Sequence, residues 1–189
     1  HKFDEADQRM IEIINQHTLR INHIIEDIMN ISRSSETART RIDLKSWLPT
    51  FVDNYCQSGL APTDRFQLNF ESDHTTLLFD TGHLNQILTN LCTNACVHGG
   101  PDKPITIRVF LDSAFALGVE IADQGPGIDN DILEQIFEPF YTTSHQGSGL
   151  GLYIVAQLCE LNNATISARK NQYNGCHNGN RSRCKHTQC

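Results

Sequence analysis

The chain has 189 residues, 39% of them hydrophobic and 20% charged, with a net charge of −7 at pH 7. That length supports one well-filled core and a small appendage, and the negative balance argues against a nucleic-acid partner. No apolar run approaches the length of a membrane span and no signal peptide opens the chain, so the expectation is a cytoplasmic piece without direct membrane contact, with room for it to be the inner part of a larger membrane protein.

The first predicted element is a long helix, roughly 5–34. Met10, Ile14, His17, Ile21, Ile24, Ile28 and Ile31 follow a 3-4 spacing, and Ile11 and Ile25 widen the stripe. One helix cannot bury such a seam, and each aliphatic side chain left in water forgoes about 1.5–3 kcal/mol. Partner helices are therefore expected. A polar stretch, 34–40, reads as a hinge. Asp43 then leads into an amphipathic helix with Trp47, Leu48, Phe51, Val52 and Tyr55 on its apolar side.

Alternation predicts strands through Phe66, Leu68 and Phe70, at Leu77–Phe79, through Ile105, Ile107, Val109 and Leu111, and through Leu117, Val119 and Ile121. Between the second and third lies a helix over about 82–98, with Leu84, Ile87, Leu88, Leu91 and Ala95 on one face and Asp80 as its cap. A last helix over about 149–161 precedes a strand near 164–168. Strands and helices segregate, so the fold class is α+β, a two-layer α/β sandwich preceded by a bundle-forming helix.

The cysteines Cys56, Cys92, Cys96, Cys159, Cys176, Cys184 and Cys189 form no CxxC pair, and their odd number argues against a disulfide framework or a structural zinc site. The first four read as small buried hydrophobes. Cys176, His177, Cys184, His186 and Cys189 have a metal-binding composition without the spacing of a known site.

Four segments carry chemistry. Asn90 and Asn94 stand four residues apart on one helix face, at the border of the apolar stripe; an amide oxygen is a hard neutral ligand suited to magnesium that phosphates also hold. Asp123-Gln124-Gly125-Pro126-Gly127 ends a strand, and alternation turns Asp123 inward. An inward carboxylate needs a donor. The exocyclic amine of adenine is one, whereas guanine would oppose acceptor to acceptor. Gly125 and Gly127 permit sharp turns and a close backbone approach to a ligand. Ile136-Phe137-Glu138-Pro139-Phe140-Tyr141 reads as a stiff anchor, followed by a mobile lid over Thr142–Gln146. Gly147-Ser148-Gly149-Leu150-Gly151-Leu152 opens the last helix, where backbone N–H groups and the helix dipole favour phosphate oxygens.

In this order the four segments resemble the N box, first glycine box, F box and second glycine box of sensor histidine kinases. The resemblance covers about 41–168, and details such as Phe137-Glu138-Pro139-Phe140-Tyr141-Thr142-Thr143 resemble the pilus- and nitrogen-regulating (PilS/NtrB) branch. It implies the ATP-binding sandwich shared with gyrase and the Hsp90 chaperones (the Bergerat-type fold of the GHKL group). By resemblance, Asn94 is the ligand of Mg2+ and Asp123 binds adenine. His98, Gly125, Gly127, Ile128, Phe140, Thr143, Gly147, Ser148, Gly149, Leu150 and Gly151 complete the nucleotide contacts, and Asn90 and Asn94 serve catalysis. The implied cofactors are ATP and Mg2+. The implied partners are a response regulator receiver domain and a second copy paired through the N-terminal helix.

The implied organisation is 1–40 as the second helix of a dimerisation and phosphotransfer domain, 41–170 as the ATP-binding domain, and 171–189 as an atypical polar tail without a strand pattern. The implied activity is phosphoryl transfer from ATP to a histidine and on to a response regulator. In related ATPases the position of Asn90 holds a glutamate that activates water; an amide has no such basicity. None of the nine histidines stands in the acceptor motif His-Glu-x-x-Arg/Asn-x-Pro, so the acceptor is expected outside this chain and His17 is read as a seam residue. Val97 and Ser144 replace cations common in the family, with His98 and His145 as weak substitutes. A non-catalytic nucleotide-binding or dimerisation module is the alternative.

Overall fold

The computed structural model describes residues 8–11, 14–15, 18, 21, 25, 38–59, 61–143, 147–170 and 186–188. The described positions before residue 26 are helical, and Met10, Ile11, Ile14, Ile21 and Ile25 stand 49–63% exposed. Their apolar surface is thus not covered by the rest of the described chain. His17, Ile24, Ile28 and Ile31 lie outside the described residues.

From residue 39 the order is β1 (Arg39–Asp43), α1 (Leu44–Gln57), β2 (Phe66–Phe70), β3 (Thr76–Asp80), α2 (Thr81–His98), β4 (Ile105–Leu111), β5 (Leu117–Ala122), α3 (Gly151–Leu161) and β6 (His186–Gln188). Short 3-10 turns occupy Thr63–Arg65, Asn130–Ile132 and Gln135–Phe137. The strands form two sheets. β1 pairs antiparallel with β3, and the second sheet has the order β2-β4-β5-β6. Within it β2 and β4 are parallel, as their connection through α2 requires, and β4 and β5 form an antiparallel hairpin.

One face of the larger sheet meets the helices. Ile107 is in register with Ile121, and Val109 with Val119, so each alternating apolar set presents one continuous surface. Against it pack Leu44, Leu48 and Phe51 of α1, Ile87, Leu88 and Leu91 of α2, and Ile154, Val155 and Leu158 of α3, all buried. This is the two-layer α/β arrangement expected from the sequence. The opposite face carries Arg108, in register with Glu120, with its Nε 2.6 Å from Glu120 Oε2 and its Nη1 2.7 Å from Glu71 Oε2.

Three elements differ from the sequence expectation. The polar stretch read as a hinge already contains β1 from Arg39; only Ile42 of that strand is buried, so an edge strand leaves no alternation to read. The strand expected near 164–168 is reduced to a single bridged residue, Thr165, while Ala164 and Ile166 hold the segment by packing on the core. The edge of β5 at Gly118 and Val119 pairs instead with Gln188 and His186 of β6. The tail expected to lack a strand therefore supplies one.

Candidate nucleotide-binding site

Helix α2 is the scaffold. The Asp80 carboxylate accepts the His83 N–H at 3.0 Å and fixes where the helix begins. Its stripe of Leu84, Ile87, Leu88, Leu91 and Ala95 is buried, which leaves Asn90 and Asn94 half-buried at its border. The helix ends at Gly99, whose N–H bonds Ala95 O at 2.9 Å.

The turn after β5 packs on that end. A Cβ at Gly99 would stand 2.8 Å from Asp123 Cβ, and one at Gly125 would stand 2.4 Å from His98 O. Both glycines are needed because α2 and the turn meet with no room for a side chain between them. The Gly125 N–H donates to Asp123 Oδ1 at 2.7 Å, which aims a half-buried carboxylate. Gly127 has φ +77°, a conformation glycine adopts at little cost, and the stem of Lys170 lies over it. The Lys170 ammonium is 3.2 Å from Asp129 Oδ1. Ile128 is half-buried beside this turn.

At the other side, Ser148 Oγ accepts the Leu150 N–H at 3.2 Å. The helix α3 starts at Gly151 and not at Gly149, because Gly149 holds φ +73°. Leu150 supplies no side-chain cap to α3. Gly149 rests on the backbone of Phe140, itself at φ +67° and 67% exposed, while Ile136 of the preceding 3-10 turn is buried and anchors the segment. Asn90 Nδ2 reaches Gly151 O at 3.5 Å, so α2 also touches the start of α3. Both glycine segments are thereby brought to one helix, Asp123–Gly125 at its end and Gly149–Gly151 near its middle.

The remaining expected residues are less gathered. Val97 is 63% exposed, His98 and Thr143 are exposed, and Gly147 and Ser148 are half-buried. Ser144, His145 and Gln146 lie outside the described residues. Among the described residues no cluster of three metal-ligating His, Cys, Asp or Glu side chains occurs; of the tail cluster read for metal, Cys176, His177, Cys184 and Cys189 lie outside the described residues. Cys92 and Cys159 are buried, and Cys56 and Cys96 are half-buried. Two cations near the site carried no motif and were not legible in the sequence. They are Lys103, whose ammonium donates to Gln124 O at 3.1 Å, and the buried Arg65.

Residues 79–184 match the family model described as histidine kinase-, DNA gyrase B-, and HSP90-like ATPase. The sensor protein kinase PilS of Pseudomonas aeruginosa is 34% identical over 92% of this chain and 33% of its own length. The sensor histidine kinase ZraS of Escherichia coli K12 is 27% identical over 90% of this chain and 36% of its own length. The chain thus spans about a third of the curated relatives it matches. Among solved structures, full-length ShkA in complex with AMPPNP matches with a TM-score of 0.67 at 21% identity, covering 100% of this chain and 39% of that one. The Acinetobacter baumannii histidine kinase AdeS matches with a TM-score of 0.67 at 22% identity, covering 100% of this chain and 85% of that one.

Proposed function

The chain belongs to the family of histidine kinase-, DNA gyrase B- and HSP90-like ATPases, and on that premise we propose that it is the ATP-binding catalytic domain of a two-component sensor histidine kinase. The observation that carries this reading is the convergence on α2. The Asp123–Gly125 turn is seated on His98 and Gly99, and the start of α3 touches Asn90.

The residues fit a nucleotide with magnesium. Asp123 offers an aimed acceptor to the amine of adenine. The start of α3, without a side-chain cap from Leu150, offers backbone N–H groups to phosphate oxygens. Asn94 offers an amide oxygen on a half-buried face to Mg2+. When bound, the metal would neutralise charge on the phosphates being separated. The protein's own part is positioning. Asp123 holds the base, Gly149 and Gly151 let backbone approach the phosphates, and Asn90, which is no general base, leaves water unactivated. The phosphoryl group would go to a histidine outside this chain and then to an aspartate of a response regulator. Pairing of two copies would use the apolar stripe that the N-terminal helix leaves exposed. The domain would work at the cytoplasmic side of a membrane-bound sensor; no described helix is long and apolar enough to cross a membrane.

One observation favours a second reading. Val97 is exposed at a position where the family often carries a cation, which suits a weakly binding or non-catalytic module. Calorimetric titration of the chain with MgATP, beside Asp123→Asn, tests the pocket, and phosphoryl transfer to a supplied acceptor helix decides between them. Saturable binding that the variant loses, followed by transfer, supports the catalytic domain. A folded wild type that takes up no ATP supports the module.

A further inference from the structure

Arg65 and Lys103 lie outside every segment that carries nucleotide chemistry, yet they join into one chain of bonds that ends beside Asp123. Arg65 closes the 3-10 turn before β2 and is 9% exposed. Its Nη2–H donates to Gly100 O at 2.7 Å and its Nε–H to Lys103 O at 3.2 Å. It thus grips the loop between α2 and β4 at both ends. Lys103 then reaches out of that loop, and its ammonium donates to Gln124 O. Gly100, at φ +88°, lies under the Lys103 stem, so the loop geometry and the lysine's direction go together.

We infer that Arg65 and Lys103 are positioning residues for adenine recognition, holding the turn that carries Asp123 against the end of α2. The inference rests on the nucleotide-site reading above. The physical argument concerns stiffness. The Asp123 carboxylate accepts a short local bond from the Gly125 N–H, and the turn meets the end of α2 at Gly99 and His98. A backbone carbonyl at Gln124 held by a cation restrains the turn at a further point. The restraint is transmitted to the sheet because the loop bearing Lys103 is itself fixed by a buried guanidinium. A planar fork with several donors is suited to gripping two carbonyls at once; a lysine in place of Arg65 would reach one. Base selectivity depends on where the carboxylate stands, so loosening the turn should weaken ATP and blur its distinction from GTP.

The test uses the full chain, titrated with MgATP and separately with MgGTP. Lys103→Met keeps the stem and removes the donor. The dissociation constant for MgATP should rise roughly five-fold, the scale of one charge-assisted hydrogen bond discounted for exposure, and the ATP-over-GTP preference should narrow. The melting temperature should move by no more than about 2–4 °C, as for a surface change. Lys103→Arg should restore both affinity and preference. Arg65→Lys should reproduce the Lys103→Met phenotype with a larger loss of stability, and Lys103→Met keeps the test informative where an Arg65 variant fails to fold. A folded Lys103→Met with wild-type affinity and preference overturns the inference while leaving the nucleotide site standing. A folded wild type that binds no ATP overturns both.

Discussion

Gly149 lies so close to Phe140 that a Cβ on it would stand 2.5 Å from the Phe140 carbonyl carbon and 2.7 Å from its oxygen. Both residues hold positive φ, +73° and +67°. Two segments separated by residues 141–148 are therefore locked backbone to backbone, and the lock fixes where α3 begins. In Gly149→Ala the side chain meets backbone, which cannot step aside, and the backbone conformation disfavours any L residue. A loss of about 1–3 kcal/mol in stability is expected from the strain, together with loss of MgATP binding. Thermal melts and calorimetry on the same sample check both. A variant that binds normally would show that the start of α3 is not part of the site.

ATP hydrolysis by the wild type should be slow, because Asn90 offers an amide where water activation needs a base. Asn90→Asp should also weaken MgATP binding, since a carboxylate in place of Nδ2 would face the Gly151 carbonyl oxygen it now reaches at 3.5 Å. A phosphate-release assay across ATP concentrations measures both. Rapid wild-type turnover that the variant leaves unchanged would overturn the assignment of Asn90.

Asp80 ties stability to acid. Its partial burial works against the ionised form, but bonds from the His83 and Ala38 amides, with the nearby His83 ring, outweigh it and hold its pKa below the ordinary 3.8. The folded pKa is the depressed one. The carboxylate's contribution is thus complete above pH 3.8 and is lost as pH falls through the lower folded value. Asp80→Ala should cost about 1 kcal/mol at pH 7, the usual scale for an N-cap. Urea melts at pH 7 and pH 3 should show the gap between variant and wild type narrowing in acid. A gap independent of pH would mean that the ionised cap contributes nothing.

Arg108 and Glu120 stand 6% and 4% exposed, with Arg169 Nη2 3.1 Å from the second Glu120 oxygen and the Arg108 guanidinium 4.2 Å from the centre of the Phe110 ring. Burial opposes the charge of Arg108, but the bonds and charges of Glu120 and then Glu71 keep its pKa above the free value. Removing one partner leaves the other buried charge with a single, more exposed partner, Arg169 for Glu120 or Glu71 for Arg108. Arg108→Met or Glu120→Leu should therefore destabilise by about 3 kcal/mol, the low end for breaking a buried pair, while the double variant should recover part of that loss. Denaturant melts of the three variants form the cycle. A double-variant loss equal to the sum of the two single losses would contradict a coupled pair.

What was legible in the sequence was local or periodic. The apolar stripe of α2 and its cap at Asp80 were readable because a helix repeats its face every few residues and a cap acts within one turn. The β4 and β5 strands were readable from alternation, and the order of the asparagine, Asp-Gly, aromatic and glycine segments identified the family before any contact was known. The rest depended on groups far apart in the chain. β1 has one buried residue and becomes a strand only because β3 lies beside it. The start of α3 moved to Gly151 because Phe140 holds Gly149 out of the helix. Arg108 and Glu120 became a pair only in the register of the hairpin, and Arg65 met Gly100 and Lys103 only once α2 had delivered that loop to the end of β2. Local preference and period are written along the chain, whereas a hydrogen bond between distant segments leaves no pattern until the packed core sets which segments meet.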